Sequence, residues 1–257
     1  MQVIEISMWQ LFLCLILVMI TGFCSIMLHL KLEKDLLIGT TRTFVQLFVM
    51  GYLLKFIFQI NTYYLVLAFF TWMIFWAAHA VKGRTKERTI PLLFPTFMAM
   101  LVSCMLVTII VTSLVVQVKP WYKPQYFIPI GGMIVGNSMN GIAVALERML
   151  SEMRKQRDEI EMFLCIGANC QEATASIVAS SIKAGMIPSI NALMTVGLVT
   201  LPGMMTGQIL AGVNPMTAVK YQIIVMLMLT TSTAISCIIL IHVVRRICFT
   251  PAQQMKI

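Results

Sequence analysis

Seven stretches of this sequence are long and apolar enough to cross a lipid bilayer, and they restrict the chain to very few architectures. A transmembrane helix needs about 20 consecutive apolar residues. Such stretches lie at residues 9–28, 36–58, 63–81, 92–118, 127–146, 191–213 and 216–244. The composition agrees, because 59% of the residues are hydrophobic and only 11% are charged. The sequence therefore predicts an all-α polytopic membrane protein with about seven transmembrane helices, built as one transmembrane domain over residues 1–257.

Positive charges are distributed unevenly between the two sides of the predicted spans. If the N-terminus is outside, the inner loops hold fourteen basic residues: Lys31, Lys34, Lys82, Arg84, Lys86, Arg88, Arg148, Arg154, Lys155, Arg157, Lys183, Arg245, Arg246 and Lys256. The outer loops hold only Lys119 and Lys123. Because cytoplasmic loops of membrane proteins are enriched in lysine and arginine, we predict an outside N-terminus and a cytoplasmic C-terminus. The net charge of +9 then reflects orientation in membrane lipid, and no nucleic-acid partner is expected.

The sequence contains no catalytic or metal-binding signature. It lacks a GxxxxGKS/T phosphate loop, an HExxH pair, a GxSxG turn and a GxGxxG turn, and its seven cysteines include no CxxC pair. All ten acidic residues lie outside the predicted spans, so the membrane segments offer no carboxylate for a proton relay. We therefore expect a transporter that is not an enzyme, binds no cofactor itself and takes its energy from a partner.

The longest segment between predicted spans, residues 147–188, combines an amphipathic helix with a glycine turn. Apolar residues recur there at helical spacing, at Leu146, Met149, Leu150 and Met153. Glu161 then precedes Gly167 and Ala168 in EMFLCIGANCQEA, and a turn at this glycine would join two short helices into a compact knob. The cytoplasmic loop of ABC importers that docks on the ATPase has a similar glutamate-to-glycine spacing. We assign these three residues to ATPase coupling; a solvated extension of the fifth span is the alternative.

The sixth predicted span, residues 191–213, is interrupted by Pro202 and Gly203. Proline removes a backbone donor and clashes with the preceding turn, so we expect this helix to kink or unwind near its middle. Transporters commonly place binding sites at such breaks. The neighbouring residues with soft or neutral donor atoms are candidates for the substrate pathway: Met204, Met205, Thr206 and Gln208. Methionine also fills gaps in apolar cores, so packing is the alternative role.

Polar and small residues within the spans form a further group of candidates. Asn137 and Asn140 lie in the fifth predicted span, where a buried amide either lines a pathway or bonds a neighbouring helix. Glycines spaced four residues apart predict close helix packing. They occur in two pairs, Gly132 with Gly136 and Gly203 with Gly207.

Several segments resemble the FetB-type iron-export permease family. They are RTFVQLFVMGYLLKFIF (42–58), GMIVGNSMN (132–140), the turn at 161–168, IPSIN (187–191), LPGMMTGQILAG (201–212) and AVKYQI (218–223). The resemblance implies the permease half of an ABC transporter in the bacterial inner membrane, with ATP and Mg²⁺ bound by a separate ATPase subunit. It also implies iron export and a link to oxidative-stress resistance. Plant relatives are linked to aluminium tolerance and one to a nucleotide sugar, so the family does not fix the substrate.

The sequence predicts one assembly for this chain but leaves more than one possible function. A single seven-helix chain lacks a second equivalent half, so we expect a working unit of two permeases and two ATPases. An ABC permease for a nucleotide sugar or a lipid-linked compound is one alternative to iron export. A channel or membrane scaffold without an ATPase is the other.

Overall fold

A computed structural model describes residues 7–84, 90–250 and 252–256 of the chain. Lys86 and Arg88, which contribute to the predicted charge asymmetry, lie outside these described residues. The chain divides into two compact units. The first runs to Asn61 and includes Leu210–Gly212, and the second comprises Thr62–Ile209 with the residues from Val213 onward.

The described residues form ten α-helices. These are α1 Met8–Met27, α2 Glu33–Ile60, α3 Tyr63–Arg84, α4 Leu93–Ile110, α5 Pro124–Lys155, α6 Arg157–Cys165, α7 Cys170–Ala173, α8 Ala175–Thr195, α9 Gly203–Leu210 and α10 Pro215–Ile247. A π-helical turn, Val111–Val115, extends α4. Seven of these elements are long and apolar enough to span a membrane: α1, α2, α3, α4 with its π-helical turn, α5, α8 and α10. The predicted all-α fold with seven such helices is confirmed.

The first unit is a hairpin of α1 and α2. A capping box starts α1, where the Ser7 backbone N–H donates to Gln10 Oε1 at 2.8 Å. Between the helices, Ser25 Oγ donates to Glu33 Oε1 and accepts the Leu32 backbone N–H, both at 3.1 Å. One buried serine hydroxyl therefore ties the end of α1 to the start of α2.

The second unit is organised around α5, which packs against α3, α4, α8 and α10. Its inner face is apolar, and Ile134, Ile142 and Leu146 are fully buried. The contact with α8 is close because two glycines face each other there. A Cβ atom added to Gly185 would lie 2.6 Å from the carbonyl oxygen of Gly141. The two backbones therefore meet with no room for a side chain.

The predicted position of the sixth span is wrong. The sixth long helix is α8, which ends at Thr195, and the chain is non-helical from Val196 to Pro202 before the eight-residue α9. The serine-rich sequence of α8 gave a weaker apolar signal than residues 191–213. Ser180 and Ser181 nevertheless fit a helix because both hydroxyls donate to the Ile177 carbonyl oxygen.

This shift changes two further predictions. The segment between the fifth and sixth long helices is shorter than residues 147–188, because α5 runs to Lys155 and α8 begins at Ala175. Lys183, one of the fourteen basic residues assigned to inner loops, lies within α8. The number of candidate spans stays at seven.

The predicted glycine contacts are mostly wrong within this subunit. Among the described residues, no atom lies within 4 Å of a Cβ built on Gly136, Gly203 or Gly207. Only Gly132 has a near neighbour, Met73 Cε at 3.3 Å. Spacing alone does not tell which face of a helix meets a neighbour, and the close approach falls at Gly141 and Gly185 instead.

Candidate functional site

Asn137 lies where α5, α8 and α10 meet. Its Nδ2 donates to Ser189 Oγ at 3.0 Å and to Thr233 Oγ1 at 2.8 Å, with the carbonyl oxygen of Leu229 at 3.4 Å. Each acceptor belongs to a different helix from the amide, so one side chain links three helices. Of the two roles open from the sequence, this geometry favours hydrogen bonding between helices.

Hydroxyl groups extend this polar contact into a seam between α4, α5 and α10. Ser138 and Ser232 share a hydrogen bond of 2.9 Å, and Ser103 bonds Ser236. The hydroxyl of Ser232 also contacts Cys104 Sγ at 3.8 Å. These side chains are fully buried. The sequence analysis did not select them, although Ser232 and Ser236 lie one helical turn apart, a spacing that would have indicated a shared face.

Asn140 differs from Asn137 in its surroundings. It is exposed, and its Oδ1 accepts a hydrogen bond of 3.1 Å from Arg84 Nη1 at the end of α3. The two asparagines therefore serve different helix contacts. Among the described residues, neither forms a hydrogen bond with Gln208.

The predicted helix break is present, and the candidate pathway residues follow it. Pro202 directly precedes α9, whose first residue is Gly203, and the hydroxyl of Thr206 donates to the Pro202 carbonyl oxygen at 3.1 Å. Met204 and Met205 are half-buried. The Oε1 atom of Gln208 is buried, and it has no hydrogen-bond partner within the described part of the chain.

Gln222 in α10 is a second glutamine of this kind that the sequence analysis did not select. Its side chain is 5% exposed, and its buried Oε1 has no partner among the residues that the structure describes. A buried amide oxygen without a partner is unfavourable by about 1–3 kcal/mol. Its position in the AVKYQI segment, as a glutamine inside an apolar span, is a signal that could have identified it.

The turn at Gly167 has a defined local structure. Helix α6 ends in a Schellman motif, in which the N–H of Ala168 donates to the Phe163 carbonyl oxygen at 3.0 Å and that of Gly167 donates to Leu164 at 3.1 Å. Gly167 has a φ angle of +99°, which side-chain-bearing residues rarely adopt. The sequence prediction of a glycine turn between two short helices is confirmed.

Side chains fix both ends of this turn. Asn169 caps α7, because its Oδ1 accepts the backbone N–H groups of Gln171 and Glu172, each at 2.9 Å. On α6, Arg157 Nε donates to Glu161 Oε1 at 2.8 Å. The hydrogen bond and charge of Glu161 raise the pKa of Arg157 above its usual value. Glu161 is thus exposed but already paired one turn along its own helix.

Histidine, cysteine and acidic side chains do not converge on a metal site in the described ranges. No group of three or more of them lies close enough to hold an ion.

The chain matches the model of the uncharacterised protein family UPF0014 over residues 8–249. The UPF0014 membrane protein YjkA of Bacillus subtilis is 37% identical over 247 residues, covering 96% of this chain and 97% of the relative. The probable iron export permease protein FetB of Escherichia coli is 34% identical over 248 residues, with 96% and 94% covered. The Arabidopsis thaliana protein ALUMINUM SENSITIVE 3 is 32% identical over 250 residues, with 94% and 87% covered. No solved structure matches the chain.

Proposed function

This chain belongs to the UPF0014 family of membrane proteins, and we propose that it is the permease subunit of an ABC exporter for iron or a related metal. Seven apolar helices and relatives described as membrane proteins make it a multi-pass membrane protein. The name of FetB supports iron as the substrate. We assign ATP hydrolysis to a separate ATPase subunit because the sequence has no phosphate loop.

The compact turn between α6 and α7 is the observation that carries the ATPase proposal. It joins two short helices between the fifth and sixth candidate spans, and the Glu161 side chain and the Gly167 backbone are exposed. A knob of this shape, fixed by a Schellman motif and a capping box, can move as one body when a partner pushes on it. We propose that Glu161, Gly167 and Ala168 contact the ATPase from the cytoplasm.

The candidate substrate pathway centres on the broken region around α9. We assign Met204, Met205, Thr206 and Gln208 to it, and we add Gln222 because its buried amide oxygen has no partner among the described residues. Such an oxygen keeps an acceptor position that a bonded amide has already used. Asn137 and Asn140 have protein partners, so we assign them to helix packing instead.

A nucleotide sugar or lipid-linked compound is a second candidate substrate, favoured by one feature of the sequence. The candidate spans supply amides and hydroxyls, whereas iron sites in proteins usually use carboxylate or imidazole ligands. Stimulation of ATP hydrolysis by Fe²⁺ or by a nucleotide sugar, measured on one preparation of the complex, would distinguish the two.

The ATPase contact can be tested at Gly167. Leucine in the left-handed conformation costs about 1–2 kcal/mol, whereas asparagine tolerates it better. Apart from the adjacent residues, no described atom lies within 4 Å of a Cβ built there, so the strain within the permease arises from the left-handed backbone. We expect Gly167→Leu to reduce recovery of the co-expressed ATPase and its ATP hydrolysis several-fold, and Gly167→Asn to retain both. Equal recovery and equal hydrolysis in the wild type and the leucine variant would contradict the assignment.

A further inference from the structure

The chain after α10 folds into a hairpin, which we define as residues 248–250 and 252–256 and call the post-α10 hairpin. Its base is anchored in the subunit, because Cys248 is fully buried and Phe249 is 5% exposed. The two arms pair, since Lys256 N–H donates to the Cys248 carbonyl oxygen and Thr250 N–H to that of Gln254, both at 2.8 Å. This segment therefore has a fixed structure at the end of α10.

A hydrogen bond joins the post-α10 hairpin to the turn that we assign to ATPase coupling. Gln253 Oε1 accepts the backbone N–H of Cys170, the first residue of α7, at 3.2 Å. The first N–H groups of a helix have no partner within it. The next two N–H groups of α7 are taken by Asn169, so Gln253 completes the cap from outside the local segment.

The post-α10 hairpin and the turn enclose a groove with a volume of about 870 Å³. One wall belongs to the turn and to α6, and comprises Arg157, Glu161, Leu164, Cys165, Gly167, Ala168 and Asn169. The other wall belongs to the post-α10 hairpin, with Ala252, Gln253, Gln254 and Met255. Gly167 and Ala168 line this groove, so a partner seated on the turn also meets the second wall.

We propose that the post-α10 hairpin forms the second wall of the docking groove for the ATPase subunit. The inference rests on the proposed function, and it extends the contact from one loop to two segments 83 residues apart in sequence, as in the bond between Cys170 and Gln253. Leu164 and Met255 offer apolar contact, while Arg157, Glu161 and the two glutamines surround it with polar groups. The matching ATPase surface is a segment with an apolar side chain flanked by polar and charged residues.

This arrangement also links α10 to ATP-driven movement. The post-α10 hairpin continues directly from α10 and is bonded to the turn. A force on the turn therefore reaches α10 through this hairpin, and it reaches α8 along the chain. Helix α10 carries Gln222, whose buried Oε1 has no partner among the described residues.

Thiol labelling of the purified permease, alone and in complex with a co-expressed ABC ATPase subunit, tests the groove directly. Cys165 is an exposed native reporter on the first wall, and Gln254→Cys places one on the second. Two protein variants are made, and Cys14, Cys24 and Cys170 are replaced by alanine in both. The first variant keeps Cys165, whereas the second carries Gln254→Cys and has Cys165 replaced by alanine as well. Cys248 needs no replacement, because burial raises its pKa to about 12 and keeps it in the unreactive thiol form. Lys82→Cys, exposed at the end of α3 outside the groove, is the control.

We expect bound ATPase to slow maleimide labelling at both walls at least tenfold and to leave the control unchanged. Protection of Cys165 without protection of Gln254→Cys would overturn the two-walled groove and leave the coupling turn standing. Absence of any complex with the wild-type permease would contradict the proposed function as well.

Two substitutions of Gln253 test its hydrogen bond with the Cys170 backbone N–H. Gln253→Leu removes the acceptor, whereas Gln253→Glu keeps an acceptor oxygen at a helix N-terminus. One hydrogen bond corresponds to roughly a 2- to 10-fold change in affinity, so we expect that loss of ATPase affinity for the leucine variant and near wild-type affinity for the glutamate variant. Equal affinity for both variants and the wild type would overturn the role of this bond.

Discussion

Individual polar side chains of the apolar helices differ in whether their amide groups are bonded within the described part of the protein. Asn137 satisfies its amide on two neighbouring helices, and Asn140 bonds Arg84. Gln208 and Gln222 each bury an amide oxygen that has no partner in the described ranges. These hydrogen bonds are the basis on which we assign the asparagines to helix packing and propose a substrate contact for the glutamines.

Substitution of the two glutamines tests this distinction. If Oε1 has no partner, Gln208→Leu and Gln222→Leu should leave the free energy of unfolding unchanged or raise it, because an unfavourable buried polar group is removed. Export should nevertheless fall if these oxygens contact the substrate. Metal efflux from loaded vesicles, ATP hydrolysis and thermal stability are the measurements.

Met205→Leu tests the thioether separately, since it conserves volume at a half-buried position and should cost less than about 1.5 kcal/mol. A defect in export for this variant at normal stability would indicate that the thioether itself contacts the substrate. Full efflux with normal stability in both glutamine variants would return Gln208 and Gln222 to a packing role.

The sequence identified the type of these polar residues but not their surroundings. Asn137 and Asn140 were equivalent candidates because both lie in the same span, yet only one turns toward α8 and α10. The rotation of a helix about its axis is set by packing with helices that are distant in sequence, and a single sequence does not encode it visibly. Gln222 is a further example, since the sequence shows a glutamine in an apolar segment but does not show that its side chain is buried.

Among the helices, apolar length predicted position well except where a span is rich in small polar residues. Six of the predicted spans overlap the long helices that the structure shows, and the sixth in order does not match because α8 begins at Ala175. Serine residues lower the apolar signal of α8, but Ser181 is fully buried and bonded to its own helix. The glycine turn after α6 was predictable because its cause is local, a left-handed residue that ends a helix.

The close packing of α5 on α8 predicts a large effect of one methyl group. Gly185→Ala would place its Cβ 2.6 Å from the Gly141 carbonyl oxygen and 2.8 Å from Ala145 Cβ, so the helices must separate. We expect a loss of about 1–3 kcal/mol in the free energy of unfolding, as for other overpacked cores. Thermal unfolding in detergent is the measurement.

Gly136→Ala on α5 is the control for this experiment. No described atom lies within 4 Å of its added Cβ, and alanine favours a helix over glycine by about 1 kcal/mol. This variant should therefore be as stable as the wild type or more stable. Equal stability of Gly185→Ala and Gly136→Ala would show that α5 and α8 do not meet at the two glycines.

At the scale of the whole molecule, this chain is a multi-pass membrane protein of the UPF0014 family. The chain has seven candidate spans, a fixed turn between the fifth and sixth of them, and no motif for binding ATP. We propose that two such permeases assemble with two ATPases. The sequence supplied the class of protein through its apolar spans, whereas the docking groove could not be predicted because its walls are far apart in sequence.

Transport by reconstituted protein tests whether this permease moves Fe²⁺ by using ATP hydrolysis in a partner ATPase. The permease is inserted into liposomes alone, with its ATPase and MgATP, and with an ATPase variant that binds but does not hydrolyse ATP, and Fe²⁺ movement across the membrane is followed. We predict Fe²⁺ transport only when the permease, the ATPase and hydrolysable ATP are all present. Fe²⁺ movement by the permease alone, at the rate of the full complex, would contradict it.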